Sequence, residues 1–311
     1  MPFFSVIIPL YNKEKHIIQT LNSVLSQSFT NYEVIIVNDG STDNSLSLTE
    51  QTIDNRIRVF NQENKGVSEA RNFAMQQATG NYFAFLDADD IWKGNHLENL
   101  YQLIIKHPNC GLYCANYIFN YGNYTVNTKF STLPKQQNWK GIVADFFAAS
   151  MSYRIALTSA VAIPAKTISD IGFFDTNFTS GQDTDYWTRI ALRKSVAFSK
   201  EVSVIYNAIA TNRISNITAS DRKFMTFEKF AAEEKNNLSL KKFNDMYRAE
   251  LAIKHKLIGD STTFLYYKQS ITNTNLSFTN KILLILPSSI LKTLWRLKQF
   301  IKANFYKLKS H

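Results

Sequence analysis

The sequence predicts an α/β fold in which a mostly parallel central sheet is flanked by helices. Short apolar runs typical of buried strands alternate with amphipathic segments over the first ninety residues. Parallel strands need crossover connections, so this alternation favours a parallel sheet. The 311 residues can bury a large core, and the 45% hydrophobic and 14% aromatic content is typical of a folded chain.

The first half of the chain supplies the alternating elements. Strands are predicted at 5–11, 32–38, 56–60 and 82–86, and a helix follows each of the first three. Asn12 is expected to N-cap the first helix. Gly40 permits a tight turn after the second strand, and the third helix ends at about residue 78.

The remaining elements are predicted to complete the sheet and to add a helical C-terminal region. Helices are predicted at 95–106 and 138–151, and strands at 111–121, 124–128 and 157–163. A hairpin is predicted from the strands at 111–121 and 124–128. From residue 221 onward the pattern is helical, with Phe224, Phe227 and Phe230 at helical spacing.

Three carboxylates follow the predicted strand at 82–86. Asp87, Asp89 and Asp90 stand where open α/β sheets bind their ligands, at the carboxyl end of a strand. Acids this close together repel one another, so a divalent cation carrying a phosphorylated ligand is the natural partner. The alternative is a solvated acidic turn that caps the next helix.

Two common phosphate-binding motifs are missing. The sequence has no G-x-G-x-x-G after its first strand and no G-x-x-x-x-G-K-[ST]. Dinucleotide-binding and P-loop functions therefore lose their main support. The acids suggest that phosphates are held through a metal ion instead.

Four segments, in order and at fitting spacings, carry a family resemblance. SVIIPLYN at 5–12, VNDGSTD at 37–43, GVSEARN at 66–72 and FLDADD at 85–90 closely resemble the N-terminal half of family 2 glycosyltransferases. The resemblance covers residues 3–92. It implies the GT-A nucleotide-diphospho-sugar transferase fold, with a helical C-terminal extension in this chain.

The resemblance also implies roles for individual residues. Asp39 would hold the uracil or its neighbourhood, with a turn or cap residue as the alternative, and Arg71 would lie near the phosphates, with a surface ion pair as the alternative. Asp87 and Asp89 match the DxD pair, and Asp89 is the expected direct ligand of Mn²⁺ or Mg²⁺. The other expected donor-site residues are Pro9, Tyr11, Glu14 and Ala88.

A second stretch, GQDTDYWTR at 181–189, resembles the family's catalytic segment. Asp183 matches the catalytic base, and the alternative is that it N-caps a helix with Asp185 in the first turn. Gln182 departs from the family pattern, where Glu is common, and loses a charge. Trp187 is a further candidate site residue, and Arg189 can pair with Asp185 at i,i+4.

The acceptor side is less well defined. The segment 207–218 is a candidate lid, and its Arg213 could reach the diphosphate. Trp139, Tyr153 and Tyr186 are candidates for stacking on a sugar, with packing in the core as the alternative for each.

Together these features predict a metal-dependent inverting glycosyltransferase. It would move a hexosyl or N-acetylhexosaminyl group from a nucleotide-diphospho-sugar, expected to be a UDP-sugar, to a glycan or lipid-linked acceptor in capsule, O-antigen or other surface-polysaccharide synthesis. The alternatives are a catalytically degenerate sugar-nucleotide-binding or scaffold protein and a nucleotidyltransferase. The predicted division is a GT-A domain at 1–218, with a nucleotide half at 1–92 and an acceptor half at 93–218, followed by a helical region at 219–311.

The net charge of +10 is concentrated at the C-terminus. Residues 261–311 contain eight Lys or Arg and no Asp or Glu. The tail at 281–311 is also rich in apolar residues, which is typical of a helix lying on an anionic membrane surface; the alternative is a helix docked on the protein. The nearly neutral remainder gives no reason to expect nucleic acid.

The expected location is the cytoplasm, peripherally on the inner face of the cell membrane. The sequence lacks a signal-peptide pattern and a run of about 20 apolar residues. Cys110 and Cys114, both expected in one strand, fit neither a disulfide framework nor a metal site. A homodimer is left open.

Overall fold

A computed structural model describes residues 1–213 and 221–297. The chain forms two compact units. The first comprises Met1–Asn216 and Lys223–Met225, and the second comprises Ile217–Arg222 and Thr226–His311. The first unit contains the sheet, and the second contains helices, so the expected α/β fold with a helical C-terminal region is confirmed.

One ten-stranded sheet forms the centre of the first unit. Its main path has the order β3-β2-β1-β4-β9-β6-β10-β5, with β7 paired to β6 and β8 paired to β10. Neighbours β3-β2-β1-β4 and β6-β10 are parallel, and the remaining pairs are antiparallel. The strands are β1 Phe4–Leu10, β2 Tyr32–Asp39, β3 Ile57–Gln62, β4 Tyr82–Phe85, β5 Ile91–Trp92, β6 Leu112–Asn120, β7 Thr125–Asn127, β8 Lys140–Ile142, β9 Val161–Pro164 and β10 Val196–Asn207.

The parallel strands β1 and β2 are continuous apolar runs because both of their faces are covered. In β1, Val6, Ile7 and Ile8 are all fully buried, and β2 is equally apolar. Val6 lies opposite Val34 of β2 and Ala84 of β4. This register places the carboxyl ends of β1, β2 and β4 side by side at one edge of the sheet.

Helices cover the sheet of the first unit. They are α1 Ile17–Leu25, α2 Ser45–Glu50, α3 Val67–Gln77, α4 His96–Lys106, α5 Phe146–Ala149, α6 Thr167–Ile171 and α7 Gln182–Ala191. The expectation that Asn12 caps the first helix is wrong. Asn12 has a φ of 51°, and its Oδ1 accepts a hydrogen bond from Thr42 N at 2.8 Å, so it joins two loops and the helix begins five residues later.

The predicted helix at 138–151 is largely wrong. Only α5 is helical, where the Asp145 carboxylate accepts from Ala148 N at 2.9 Å. Upstream, β8 pairs antiparallel with β10, which satisfies its backbone. Gly141 lies so close to Trp139 that an added Cβ would be 2.6 Å from Trp139 Cζ2. Tertiary pairing therefore overrides the helical pattern of this segment.

Two smaller expectations also need correction. The segment 157–163 is not one strand, because a 3₁₀ turn at Thr158–Ala160 precedes β9. Cys110 lies before β6 and only Cys114 is within it; both are buried free thiols.

The second unit contains α8 Ala231–Asn236, α9 Leu238–Ile258, α10 Ser261–Gln269 and α11 Phe278–Ile285, and residues 288–297 are also helical. Buried ion pairs hold it together: Arg248 contacts Glu234 at 2.8 Å and Asp245 at 3.1 Å.

The helical pattern expected around Phe224 is wrong. Phe224, which belongs to the first unit, forms a parallel bridge with Ser180. No helix among the described ranges is long and apolar enough to cross a membrane.

Candidate functional site

The candidate site lies at the edge where the parallel strands end. Asp39 is the last residue of β2, and Asp87 follows β4 by two residues. Because β1 is the common neighbour of β2 and β4, the loops that follow these three strands share one edge. The sequence patterns singled out for donor binding therefore converge, although they are separated by up to eighty residues.

Arg71 and Asp87 form an ion pair at this edge. Arg71 Nη2 donates to Asp87 Oδ1 at 2.6 Å, and Arg71 is only 5% exposed. Its guanidinium lies over the ring of Phe174 at 5.4 Å. The alternative of a surface ion pair is therefore wrong, and a buried, stacked guanidinium stands beside the first acid of the DxD pair.

Asp89 has a different cationic partner, Lys13. Lys13 Nζ donates to Asp89 Oδ2 at 2.7 Å, to Thr211 O at 2.8 Å and to Asn212 O at 2.9 Å. All three ammonium donors are thus used. Both side chains of the ion pair are about nine-tenths buried. Lys13 therefore joins the loop after β1, the acidic turn and the segment after β10.

Asp90 supports the turn from inside the protein. Its carboxylate accepts hydrogen bonds from Ser159 Oγ at 2.5 Å and from Asn207 N at 2.9 Å. It is 1% exposed, and burial, followed by the charges of Asp89 and Asp87, raises the pKa of Asp90 well above its usual value. The alternative of an acidic turn that caps the next helix does not hold for Asp90, since α4 begins at His96.

The acids fit a divalent cation bound together with a diphosphate. The hydrogen bonds described above occupy one oxygen each of Asp87 and Asp89, namely Oδ1 and Oδ2, which leaves Asp87 Oδ2 and Asp89 Oδ1 for a metal ion. Residues 1–213 and 221–297 contain no cluster of three or more His, Cys, Asp or Glu able to enclose an ion. Mg²⁺ commonly binds through one or two carboxylates plus substrate phosphates and water, which matches this donor set.

Asp39 organises the loop that leads into α3. Its Oδ1 accepts from Gln62 Nε2 at 2.7 Å and from Lys65 N at 2.8 Å, and its Oδ2 accepts from Gly66 N at 2.8 Å. The residue is 3% exposed. This is the turn-stabilising role considered as the alternative, and one lone pair of Oδ2 is left for a further donor.

The other expected donor-site residues lie at the end of β1, on the loop that follows it and in the acidic turn. Pro9 is within β1, and Tyr11 follows it with 42% of its surface exposed. Glu14 Oε2 accepts from the backbone and side-chain nitrogens of Asn44, both at 3.1 Å. Tyr11 is thus free to contact a ligand, whereas Glu14 fixes the start of α2. Ala88, between the two DxD acids, is buried.

Asp183 stands in the first turn of α7. The cap position belongs to Gly181, whose φ of 90° suits glycine, so Asp183 is not the N-cap. Its Oδ1 accepts from Thr184 N at 2.8 Å. The preceding Gln182 is buried and donates to Thr179 O at 3.0 Å, so its amide fixes the turn before the helix.

An aromatic cluster connects α7 to the acidic turn. The ring of Trp187, one turn after Asp183, lies 5.5 Å from that of Phe85 and 5.6 Å from that of Phe174. Asn72, the neighbour of Arg71, exchanges two hydrogen bonds with the backbone of Phe174. The two chemical stretches of the sequence are therefore packed against each other.

Several expected contacts take a structural role instead. Trp187 and Tyr186 are buried, and Tyr186 Oη donates to Gly172 O at 2.9 Å, so sugar stacking by Tyr186 is wrong. The expected pair of Arg189 with Asp185 is confirmed, with Nε and Oδ2 2.9 Å apart. Trp139 and Tyr153 are half-buried, and Tyr153 packs near Phe119.

Arg213 points back to β10, the strand that precedes it. Its Nη1 donates to Asn207 O at 3.2 Å, and its guanidinium lies 4.4 Å from the centre of the Tyr206 ring. Residues 214–218 of the candidate lid lie outside the described ranges.

Lys13, His16 and Ser159 were not singled out from the sequence. Ser159 Oγ bridges Asp90 Oδ2 and Asp87 N. His16 Nε2 lies 3.4 Å from both Thr211 N and Thr211 Oγ1. Of these three residues, only Lys13 has a sequence feature that could have identified it, because it is a cationic residue between the expected donor-site residues Tyr11 and Glu14. The other two come from segments whose contacts depend on the tertiary fold.

Comparison with known proteins gives a consistent family. The model of "Glycosyl transferase family 2" matches residues 5–159. The putative teichuronic acid biosynthesis glycosyltransferase TuaG of Bacillus subtilis is 30% identical over 222 residues, which is 68% of this chain and 83% of TuaG. The Escherichia coli protein WfgD, named a UDP-Glc:alpha-D-GlcNAc-diphosphoundecaprenol beta-1,3-glucosyltransferase, is 37% identical over 42% of this chain and 49% of its own.

The fold is also shared with a solved structure. S. aureus TarS 1–349 in complex with UDP-GlcNAc superimposes with a TM-score of 0.57 at 20% identity, over 92% of this chain and 79% of the TarS 1–349 chain. Other matches cover less of the relative: the matched region is 28% of an uncharacterised Rickettsia bellii glycosyltransferase and 42% of Streptococcus pneumoniae GlyG. These findings favour a glycosyltransferase over the nucleotidyltransferase alternative.

Proposed function

Because this chain belongs to the family 2 glycosyltransferases and has their GT-A fold, we propose that it is a metal-dependent inverting enzyme that uses a UDP-sugar. The observation that carries this proposal is the convergence of Asp87, Asp89, Arg71 and Lys13 at one sheet edge. Two acids able to hold a cation, with two cationic side chains beside them, suit a metal-bound nucleoside diphosphate.

In the proposed reaction the chain's own residues bind the donor and move one proton. Arg71 faces the diphosphate and offsets its charge. Asp183 accepts the proton of an acceptor hydroxyl as that oxygen attacks the anomeric carbon, which passes through an oxocarbenium-like state. When bound at Asp87 and Asp89, Mn²⁺ or Mg²⁺ neutralises charge on the leaving diphosphate. A single displacement inverts the anomeric configuration.

The donor and acceptor classes are supported by the relatives' names. WfgD is named for UDP-Glc and a diphosphoundecaprenol-linked acceptor, and TuaG for teichuronic acid synthesis. A UDP-hexose or UDP-N-acetylhexosamine donor and a glycan or lipid-linked hydroxyl acceptor in surface-polysaccharide synthesis are therefore proposed here.

The decisive test compares the wild type with Asp183→Asn. UDP-sugar turnover is measured with Mn²⁺, together with UDP binding by calorimetry. We expect turnover to fall about 10²- to 10⁴-fold while UDP binding stays within twofold, because the base contacts the acceptor and not the nucleotide. Binding of UDP without turnover by the wild type, over a panel of UDP-sugars and polyprenyl acceptors, would point to the degenerate alternative.

The C-terminal helices are proposed to bind the inner face of the membrane. The exposed fractions of Phe278 and Ile285 are both 78%, and that of Trp295 is 50%. Further exposed apolar side chains on the same two segments are Ile282, Ile290, Leu294 and Leu297. Basic residues accompany them and acids do not, which suits an anionic lipid surface.

This part of the proposal is tested by removing residues 281–311. The truncated protein is expected to stay in the supernatant when anionic vesicles are sedimented, while the intact chain sediments with the vesicles. Equal retention of both proteins would contradict membrane binding through this segment.

A further inference from the structure

Lys13 is more than a charge near the donor site. Its ammonium makes three hydrogen bonds, to one carboxylate oxygen and to two main-chain carbonyl oxygens, over distances of 2.7 to 2.9 Å. An all-oxygen set of this kind is what a hard cation prefers. The side chain therefore acts as a tethered cation bound to Asp89.

The two carbonyls belong to the segment that follows β10. Thr211 and Asn212 are held to the loop after β1 by Lys13, and Asn212 Nδ2 also donates to Asn12 O at 3.2 Å. Asn212 has a φ of 53°, an unusual backbone conformation that these contacts maintain. The ion pair at Asp89 and the position of this segment are thus parts of one network.

From this geometry we propose that Lys13 is a positioning residue that competes with the divalent cation for Asp89 and couples metal binding to loosening of the segment around Thr211 and Asn212. The inference rests on the proposed function, because it concerns the cation expected at Asp87 and Asp89. A divalent ion on Asp89 Oδ1 repels the ammonium on Oδ2 and neutralises the carboxylate charge that holds it, so the ammonium leaves. Displacement of Lys13 removes the hydrogen bonds to Thr211 O and Asn212 O together, so the segment is loosened when the metal-bound donor enters, and the contacts of Thr211 with His16 and of Asn212 with Asn12 remain.

Displacement from Asp89 also gives the Lys13 ammonium a second position. Once it leaves Asp89, its ammonium stays at the same edge of the sheet, since its main-chain N is fixed to Ser45 Oγ at 2.6 Å. The same residue then adds positive charge beside Arg71. Lys13 is therefore expected to weaken metal binding in the absence of nucleotide and to strengthen nucleotide binding in the presence of metal.

The test uses the full chain and Mn²⁺, whose binding is followed by electron paramagnetic resonance without nucleotide. Lys13→Met is compared with Lys15→Met, which removes the same charge from an exposed position two residues away. We expect Lys13→Met to bind Mn²⁺ about fivefold or more tightly than the wild type, and Lys15→Met to change affinity by less than about twofold. Lys13→Gln, which keeps a polar side chain of similar reach, serves as a second variant if Lys13→Met does not fold.

Hydrogen exchange of a peptide containing residues 207–213 provides the second readout. Mn²⁺ should speed exchange in the wild type to the rate that Lys13→Met shows without metal. Equal Mn²⁺ affinities of the Lys13 and Lys15 variants, or exchange that Mn²⁺ leaves unchanged in the wild type, would overturn the proposal while leaving the proposed function intact. No Mn²⁺ binding by any variant, even with UDP, would refute both.

Discussion

At the scale of single residues, the acidic turn depends on a side chain that the sequence did not indicate. Ser159 Oγ donates to the buried carboxylate of Asp90 and accepts from Asp87 N at 3.1 Å. It thereby fixes both ends of the four-residue turn that presents the DxD acids. Asp90 is the member of the acidic run for which sequence reasoning found no role, and the structure makes it the internal support of the other two.

Ser159→Ala is expected to lower the free energy of unfolding by about 1 to 3 kcal/mol, since it leaves a buried carboxylate oxygen and an amide without their partner. The loosened turn should also raise the KM for the UDP-sugar severalfold. Urea unfolding and donor kinetics measure the two effects. Ser169→Ala is the matched control, because Ser169 is exposed and its Oγ donates to the nearby Lys166 O. Equal stability of the two variants would contradict the role given to Ser159.

His96 gives the protein a pH dependence unrelated to catalysis. It is fully buried, its Nδ1 lies 2.8 Å from Ser203 Oγ, and burial lowers its pKa to about 3. Below about pH 6.5 the unfolded chain binds a proton at His96 that the folded chain does not. The free energy of unfolding therefore falls as the pH is lowered from 6.5 toward 3, and His96 has no such effect above that window.

The stability difference between the wild type and His96→Asn isolates this effect, because other titrating groups largely cancel. We expect the wild type to lose about 1.4 kcal/mol per pH unit relative to the variant between pH 6 and pH 4.5. Urea unfolding at several pH values provides the measurement. A difference that stays constant from pH 7 to pH 4.5 would show that His96 is not held neutral.

At the scale of elements, close packing of backbone decides where glycine is required. Gly80 lies in the turn between α3 and β4, and a Cβ there would be 2.6 Å from Ser5 Oγ and 2.7 Å from Ser5 N. Gly80 N donates to that hydroxyl at 2.8 Å. The turn thus fixes the pairing of β4 with β1, and with it the position of the acids.

Gly80→Ala is expected to destabilise the protein by about 1 to 3 kcal/mol, because the clash involves main-chain atoms that cannot move aside. Gly94→Ala is the control, since its Cβ would meet only Ser26 O at 3.5 Å. Thermal unfolding of both variants measures the difference in stability. A Gly80 variant as stable as the Gly94 variant would mean that β1 and β4 tolerate a shift in this turn.

The elements differ in how far the sequence predicts them. The parallel core strands and their crossover helices were predicted within a few residues, because continuous apolar runs and helical spacing are local signals. The segment 138–151 was not, since β8 exists only through its pairing with β10. The same holds in the site: Asp87 and Asp89 stand in a local motif, whereas the partners Lys13 and Ser159 come from 76 and 72 residues away.

At the scale of the whole molecule, the chain separates its charges between two regions of the sequence. The first unit places compensating pairs of opposite charge at the sheet edge, as Arg71 and Asp87 illustrate. The last fifty residues contain only basic charges, next to exposed apolar side chains. Such a division suits an enzyme whose donor is soluble and whose acceptor is held in a membrane, and it makes the basic residues of the tail testable apart from catalysis.

The double variant Lys292→Gln and Arg296→Gln should weaken binding to anionic vesicles without affecting turnover of a soluble acceptor. Each basic residue near an anionic surface contributes about 1 kcal/mol, so two removed charges correspond to roughly a thirtyfold loss of partitioning. Lys235→Gln with Lys242→Gln removes equal charge from exposed positions on α8 and α9, and this control should lose much less. Vesicle sedimentation at two salt concentrations also separates charge from apolar insertion, because only the electrostatic part is screened. Equal losses in the two double variants would show that net charge, and not the C-terminal surface, governs the association.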